Sequence, residues 1–227
     1  MIQMKRLTTG LNNLDKLLRG GFPENTVCLI SGSAGSGKTL FALNYLLEGA
    51  KQGEKGYYLS FNENKEELLR AANQIKSLNG LADFLDKKII LEKVSLGGKF
   101  NLNYFEKILS KYPQIDRMVI DNVNKLLIHS SSENEYRIKF ASFAEKLKSK
   151  VKSSLILCET SGNAIDTGKG ESFEADGVIK FSFLELEEKP SRNLEIHKMR
   201  YTNFDALVKH EYKITEKKIE LTKNKAI

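Results

Sequence analysis

The chain has 227 residues, 41% apolar and 29% charged, which is ordinary for a soluble globular protein and enough to bury a real core. No apolar run approaches the ~18 residues of a membrane-spanning helix, and the opening M-I-Q-M-K-R-L-T-T-G has no apolar signal-peptide core. The formal charge of +7, with lysine favoured over arginine, admits an acidic partner, although much of the excess fits solvated helix surface.

In chain order, residues 5–24 predict a loop, one short helix and a turn. Thr9 or Asn12 can cap the helix, Leu11, Leu14, Leu17 and Leu18 form its apolar stripe, and Gly20-Gly21 ends it. Pro23 begins the turn into the first core strand. That strand, Val27-Cys28-Leu29-Ile30, is a short apolar run of the kind buried on both faces of a parallel sheet. It leads into Gly32-Ser33-Ala34-Gly35-Ser36-Gly37-Lys38-Thr39, a full match to G-x-x-x-x-G-K-[ST]. An amphipathic helix follows, with Leu40, Leu43, Leu46 and Leu47 at helical spacing.

The chemistry accounts for these residue types. Glycines let successive backbone N–H groups close on a polyphosphate without an intervening side chain. The helix N-terminus adds its dipole. Lys38 can reach the β- and γ-phosphates, and the Thr39 hydroxyl can ligate Mg²⁺. A ligand-free Gly/Ser loop would rarely fall between a buried strand and an apolar-striped helix. The stretch is a nucleoside triphosphate site.

Gly56 to Phe61 predicts the next strand, with Asn62 and Glu63 just past its C-terminal end, the edge where open α/β sheets bind ligands. A helix from Asn64-Lys65-Glu66-Glu67 closes at Asn79-Gly80. Lys88–Glu92 is a third strand, followed by a loop around Gly97-Gly98 and a helix from Leu102 to Tyr112. Met118-Val119-Ile120-Asp121 is a fourth strand ending in an acid that can hold the water shell of Mg²⁺ beside Thr39. Alone, strand-then-Asp also describes an ordinary turn; the upstream phosphate loop favours the metal role. Residues 129–135 read as a polar loop before a long helix to about Lys150. Ser154–Glu159 is the fifth strand, and Thr160 to Glu171 a Gly-rich polar loop.

From Val178 the pattern becomes alternation without helices: Val178–Leu184, Leu194–Arg200, His210–Ile214 and Ile219–Leu221 predict antiparallel strands added to a parallel sheet. Cys28 and Cys158 fall inside predicted buried strands and read as core residues, which suits a reducing, cytoplasmic setting. The three histidines have no metal-ligand spacing. With no internal repeat and no linker, one domain over residues 1–227 is expected.

The motifs together resemble the RecA-superfamily ATPases, in particular their KaiC-like single-domain branch. The resemblance covers roughly 5–222 and rests on T-T-G-L-N-N-L-D-K-L-L-R-G-G-F-P, G-S-A-G-S-G-K-T, Y-Y-L-S-F-N-E, M-V-I-D-N, E-A-D-G-V-I and L-E-I-H-K-M-R. The phosphate loop alone fits many ATPases; the lead-in and the K-M-R strand end are more specific. The resemblance implies a mainly parallel twisted sheet with helices on both faces, and a homo-oligomeric ring, usually a hexamer, with ATP between subunits. In such rings the K-x-R cations reach the phosphates bound by the next subunit, and here these would be Lys198 and Arg200. Their i, i+2 spacing puts both on one face of a strand, although a solvated basic strand end would look the same.

One departure concerns the base. The family usually carries two glutamates after the second strand, the first activating the attacking water, and here the pair reads Asn62-Glu63. Asn62 can position a water but cannot take its proton. Glu63 remains the candidate base, although in an extended strand neighbouring side chains point to opposite faces. The expected activity is therefore ATP hydrolysis, slowed by Asn62. Asn122 is a milder departure beside the metal position. Glu159 stands where RecA-type recombinases use an amide, which argues against a recombinase.

Two functions compete. One is an ATP-dependent ring read by an unidentified protein partner. The other is a recombinase-paralog ATPase that binds DNA in recombination or repair through the loops at 129–135 and 160–175. Those loops contain Lys169 as their only basic residue against several acids, which disfavours DNA there. Basic residues gather instead near the C-terminus, for example Lys213, Lys217 and Lys218. Autophosphorylation, as in the two-domain clock protein, has weak support.

Overall fold

The computed structural model describes residues 4–95, 102–184 and 191–225. The N-terminal segment pairs β1 (Arg6–Leu7) with β2 (Phe22–Pro23) in a small antiparallel sheet that brackets helix α1 (Asn12–Leu17). These strands are two residues long, too short for any periodicity, and the sequence pattern does not predict them. The cap also differs from the expectation of Thr9 or Asn12. Leu11 is the N-cap and supplies no side-chain bond; Thr9 acts two residues outside, its Oγ1 accepting the Leu11 N–H at 3.1 Å while its own N–H donates to Asp15 at 2.7 Å.

Strand β3 (Thr26–Gly32) leads to α2 (Lys38–Lys51), then β4 (Gly56–Ser60), α3 (Lys65–Ala72), β5 (Ile89–Lys93) and α4 (Leu102–Lys111). Next come β6 (Arg117–Asp121), α5 (Val123–Ile128), α6 (Glu133–Lys150), β7 (Ser153–Glu159) and α7 (Glu171–Glu174). The chain ends in β8 (Gly177–Leu184), β9 (Ser191–Met199), β10 (Lys209–Ile214) and β11 (Ile219–Lys225). The large sheet has the order β11-β10-β9-β8-β3-β7-β6-β4-β5. β8, β3, β7, β6, β4 and β5 run parallel; β9, β10 and β11 are added antiparallel. The architecture is the α/β fold expected, a mostly parallel sheet with an antiparallel C-terminal extension.

Helices cover both faces. Cys28, Ile30, Tyr58 and Val119 pack with Leu43 and Leu46 of α2 on one side. Val27, Leu29, Met118 and Ile120 pack with Phe105 of α4 and Phe143 and Leu147 of α6 on the other. Because both faces are covered, every residue of β3, β4 and β6 is buried. Both cysteines are buried and unpaired.

Three predicted stretches differ in detail. The 129–135 loop follows directly on α5 and is shortened at its far end by α6, whose N-cap Ser132 accepts the Glu135 N–H at 3.2 Å. The Gly-rich loop after β7 runs into a short helix, α7, that starts at Glu171. The helix starting at Lys65 ends at Ala72, and a separate 3₁₀ helix, Lys76–Phe84, runs through Asn79-Gly80. The loop expected around Gly97-Gly98 lies outside the described residues.

One buried cation ties these layers together. Arg117, at the start of β6, is fully buried. Its Nη1 donates to the carbonyls of Thr8 and Tyr45, both at 2.7 Å, its Nε meets Glu54, and its guanidinium lies 4.4 Å over the Tyr45 ring. Gly49 makes room for it, since a Cβ there would fall 2.4 Å from Arg117 Nε. Gly49 is inside a helix, where alanine is intrinsically better by ~1 kcal/mol. Gly49→Ala is nevertheless expected to lower stability by about 1–3 kcal/mol through overpacking. The urea midpoint measures this, and a stabilised variant would refute the clash.

Candidate functional site

The turn from β3 into α2 is built on glycines that other residues could not replace. Gly32, Gly35 and Gly37 have φ of +151°, +73° and +99°. A Cβ on Gly32 would fall 2.3 Å from the Phe181 carbonyl oxygen of β8, and one on Gly37 would fall 2.5 Å from Ile214 of β10. The antiparallel extension therefore packs directly on the phosphate loop. Gly37, the N-cap of α2, supplies no side-chain acceptor, which leaves first-turn N–H groups free for an anion. The Ser36 hydroxyl is buried without a partner. Lys38 curls back, its Nζ donating to the carbonyls of Gly32 and Ser33, both at 2.8 Å. Burial pulls the Lys38 ammonium below the usual lysine range, while the charges of Glu159 and Asp121 oppose that shift. An orphaned hydroxyl, an uncapped helix end and an ammonium resting on neutral carbonyls fit a polyphosphate.

Ala34, Gly35, Gly37, Lys38 and Thr39 line a cavity of about 370 Å³ whose far wall carries Asn62, Glu63, Asp121 and Glu159. Asp121 ends β6 and is 6% exposed; burial pushes its carboxyl up, opposed by the Tyr58 hydrogen bond and by Lys38. The Tyr58 hydroxyl donates to Asp121 Oδ2 at 2.6 Å. Thr39 and Asp121 thus face one cavity with hard oxygen donors, a set that suits Mg²⁺.

The Asn62-Glu63 question is changed by where β4 stops. The strand ends at Ser60, whose Oγ accepts the N–H groups of both Asn62 (3.2 Å) and Glu63 (2.9 Å). This hydroxyl turn lies outside the pleat, so strict alternation does not apply, and both side chains line the cavity. Asn62 is exposed, whereas Glu63 is half-buried. Burial raises the Glu63 carboxyl above the usual range, with Asp121 and Glu67 adding to it. Asn122 acts locally as the N-cap of α5, its side chain accepting the Lys125 N–H at 3.3 Å. Glu159, at the end of β7, exchanges two 2.8 Å hydrogen bonds with the Asn124 side-chain amide through its own backbone.

Lys198 and Arg200 lie elsewhere. In the β8–β9 register Gly177 faces Met199, while Phe181, beside Gly32, faces Leu194. The K-x-R cations therefore occupy the sheet edge opposite the phosphate loop. Lys198 Nζ donates to the carbonyls of Ser172 (3.0 Å) and Phe173 (3.1 Å), and Arg200, just past β9, pairs with Asp176 at 3.0 Å. Within one chain they do not join the site. Arg192, at the near end of the same strand, does: it lines the cavity, with Nε 3.4 Å from the Gly35 carbonyl and its guanidinium 5.1 Å over Phe183. Sequence reasoning missed Arg192, Tyr58 and Asn124. Only Tyr58 gave a signal, since a tyrosine in a fully buried strand needs a partner for its hydroxyl.

Comparison with known proteins identifies the family of the chain and its fold. The model of the family described as "ATPase: KaiC" matches residues 7–226. A UPF0273 protein of Pyrococcus horikoshii is 26% identical, with 98% of this chain and 96% of that protein aligned. The circadian clock protein KaiC2 of Synechocystis is 27% identical over 88% of this chain, which spans 37% of that protein's length. The solved structure of a KaiC-like protein from Pyrococcus horikoshii superposes with a TM-score of 0.82 at 24% identity, covering 97% of this chain and all of that one, a likeness of fold. The chain belongs to the KaiC ATPase family, as a KaiC-like member of the RecA superfamily.

Proposed function

We propose that this chain, a single KaiC-like domain, binds ATP with Mg²⁺, hydrolyses it slowly and assembles with nucleotide into a cytoplasmic homo-oligomeric ring, hexameric by family resemblance, that a protein partner reads. The observation that carries this reading is the convergence of Lys38, Thr39, Asp121 and Glu63 on one cavity. In it, backbone N–H groups of residues 32–39 and the Lys38 ammonium hold the phosphates, and the Thr39 hydroxyl and Asp121 carboxylate hold the metal side. Bound Mg²⁺ supplies charge neutralisation on the phosphoryl oxygens. Glu63 takes the proton of the attacking water, from a position one residue past the family's usual base, and Asn62 orients that water. Lys198 and Arg200 act in trans. Their placement on the edge away from their own phosphate loop supports that role, because in cis, among the described residues, their side chains bond α7 and Asp176. The DNA-binding alternative loses support, since Lys169, the basic residue of its two loops, is ion-paired with Glu133.

Lys38→Ala is expected to abolish ATP binding while leaving the fold intact, because the side chain makes a charge-assisted phosphate contact and no core contact. Unchanged nucleotide affinity in the folded variant, measured by calorimetry, would overturn the site.

The Asn62-Glu63 assignment has its own test in single-turnover rates. Glu63→Gln should slow hydrolysis by roughly 10²–10⁴-fold, the usual contribution of a proton acceptor, with ATP affinity within a few-fold of wild type. Asn62→Glu should be neutral or harmful, since it crowds a second carboxylate against the first. The reverse pattern would make Asn62 the base position.

For the trans pair, Lys198→Ala/Arg200→Ala should keep the fold and lose ATP-promoted assembly or turnover. Mixing it with Lys38→Ala protein should restore part of the activity, because some mixed interfaces join one intact phosphate loop to one intact cation pair. Mixed rings without rescue would mean a purely local role.

A further inference from the structure

Tyr58 is fully buried in β4, two residues before that strand ends. β4 and β6 pair in parallel with Tyr58 beside Val119 and Ser60 beside Asp121, so Tyr58 and Asp121 are diagonal neighbours on the α2 face of the sheet. The tyrosine hydroxyl donates to Asp121 Oδ2 at 2.6 Å and lies against the Thr39 side chain. A phenylalanine would fill the ring's space equally well, so packing does not explain the hydroxyl. What it touches does: its acceptor Asp121 and its neighbour Thr39 are the two residues proposed to face Mg²⁺. An aspartate's terminal torsion is broad and weakly preferred by itself. A fixed donor on one carboxylate oxygen removes that freedom.

We infer that Tyr58 is a positioning residue for the metal: by holding Oδ2 of Asp121 and abutting Thr39, it leaves the other carboxylate oxygen for Mg²⁺ and sets the spacing between the two metal-facing groups. Outer partners of metal ligands act in this way generally, and their removal costs metal affinity more than it costs structure. The inference rests on the metal-site reading above, and the two are separated by measuring ATP affinity in EDTA and in excess Mg²⁺. The ratio of the two affinities is the metal enhancement.

In wild-type protein, Mg²⁺ should tighten ATP binding. Tyr58→Phe should bind ATP in EDTA within two-fold of wild type and lose roughly ten-fold of the enhancement. Asp121→Asn, which damages the metal-facing group itself, should lose at least as much. Adding Tyr58→Phe to Asp121→Asn should cost little more, since both act through one carboxylate. A Tyr58→Phe protein with the full wild-type enhancement overturns the inference. So does one already unfolded in EDTA, which would make the hydroxyl a core requirement, or one that loses more enhancement than Asp121→Asn. A wild-type protein that binds ATP with no Mg²⁺ enhancement would instead sink the metal-site reading, and the inference with it.

Discussion

The buried Arg117 guanidinium sets the geometry on which the rest depends. Helix α2 and strand β6 each carry part of the candidate site at one end: Lys38 and Thr39 open the helix, and Asp121 closes the strand. At their other ends the two elements meet at Arg117, which bonds the Tyr45 carbonyl of α2 and fits against Gly49. Sliding α2 along β6 would strand a buried cation without its acceptors, a change that typically costs several kcal/mol. The separation between the β3–α2 loop and the Asp121 carboxylate is thus fixed by a contact far from both. The same guanidinium holds the Thr8 carbonyl, so the N-terminal segment is docked by the same constraint.

Much of this was legible in the sequence, and the boundary follows the range of the interactions involved. The phosphate loop is a local device, and its glycines and lysine announce it in eight consecutive residues. The parallel strands were readable because burial on both faces leaves continuous apolar runs. By contrast, β1 and β2 exist only because residues 6–7 meet residues 22–23 across α1. α5 spans six residues and never completes a recognisable period. The diagonal pairing of Tyr58 with Asp121 depends on strand register, which no local pattern contains. In the Asn62-Glu63 argument, alternation applies only to a continuing strand, and β4 ends at Ser60, whose hydroxyl accepts both N–H groups.

Charge is distributed with a similar logic. The cavity wall carries Glu63, Asp121 and Glu159, three acids against the Lys38 ammonium and the Arg192 guanidinium, and the first two are pushed towards the neutral form by burial. An acid-rich wall of this kind favours a ligand that arrives with a cation. The lysine excess that gives the chain its +7 lies partly at helix C-termini, where Lys51, Lys111, Lys148 and Lys150 complement the dipoles of α2, α4 and α6. Because those lysines serve helix ends, the net charge by itself says little about partners.

Asp176 connects the two ends of the proposed trans mechanism. Its carboxylate accepts Arg200 at 3.0 Å and Lys148 at 3.2 Å, while its other oxygen accepts the Val27 N–H at 3.0 Å. Its backbone closes the same junction, donating to the Val27 carbonyl and accepting the Arg200 N–H, both at 2.8 Å. Val27 lies near the start of β3, the strand that ends in the phosphate loop. One aspartate therefore ties Arg200, the cation proposed to act in trans, to the strand that leads into the proposed phosphate loop. If Arg200 turns towards a neighbour's phosphates, Asp176 keeps Lys148 as a counter-charge, so the buried carboxylate is never left bare. That shared partner lowers the cost of releasing Arg200, and it does so without disturbing the backbone junction that holds β3 in place.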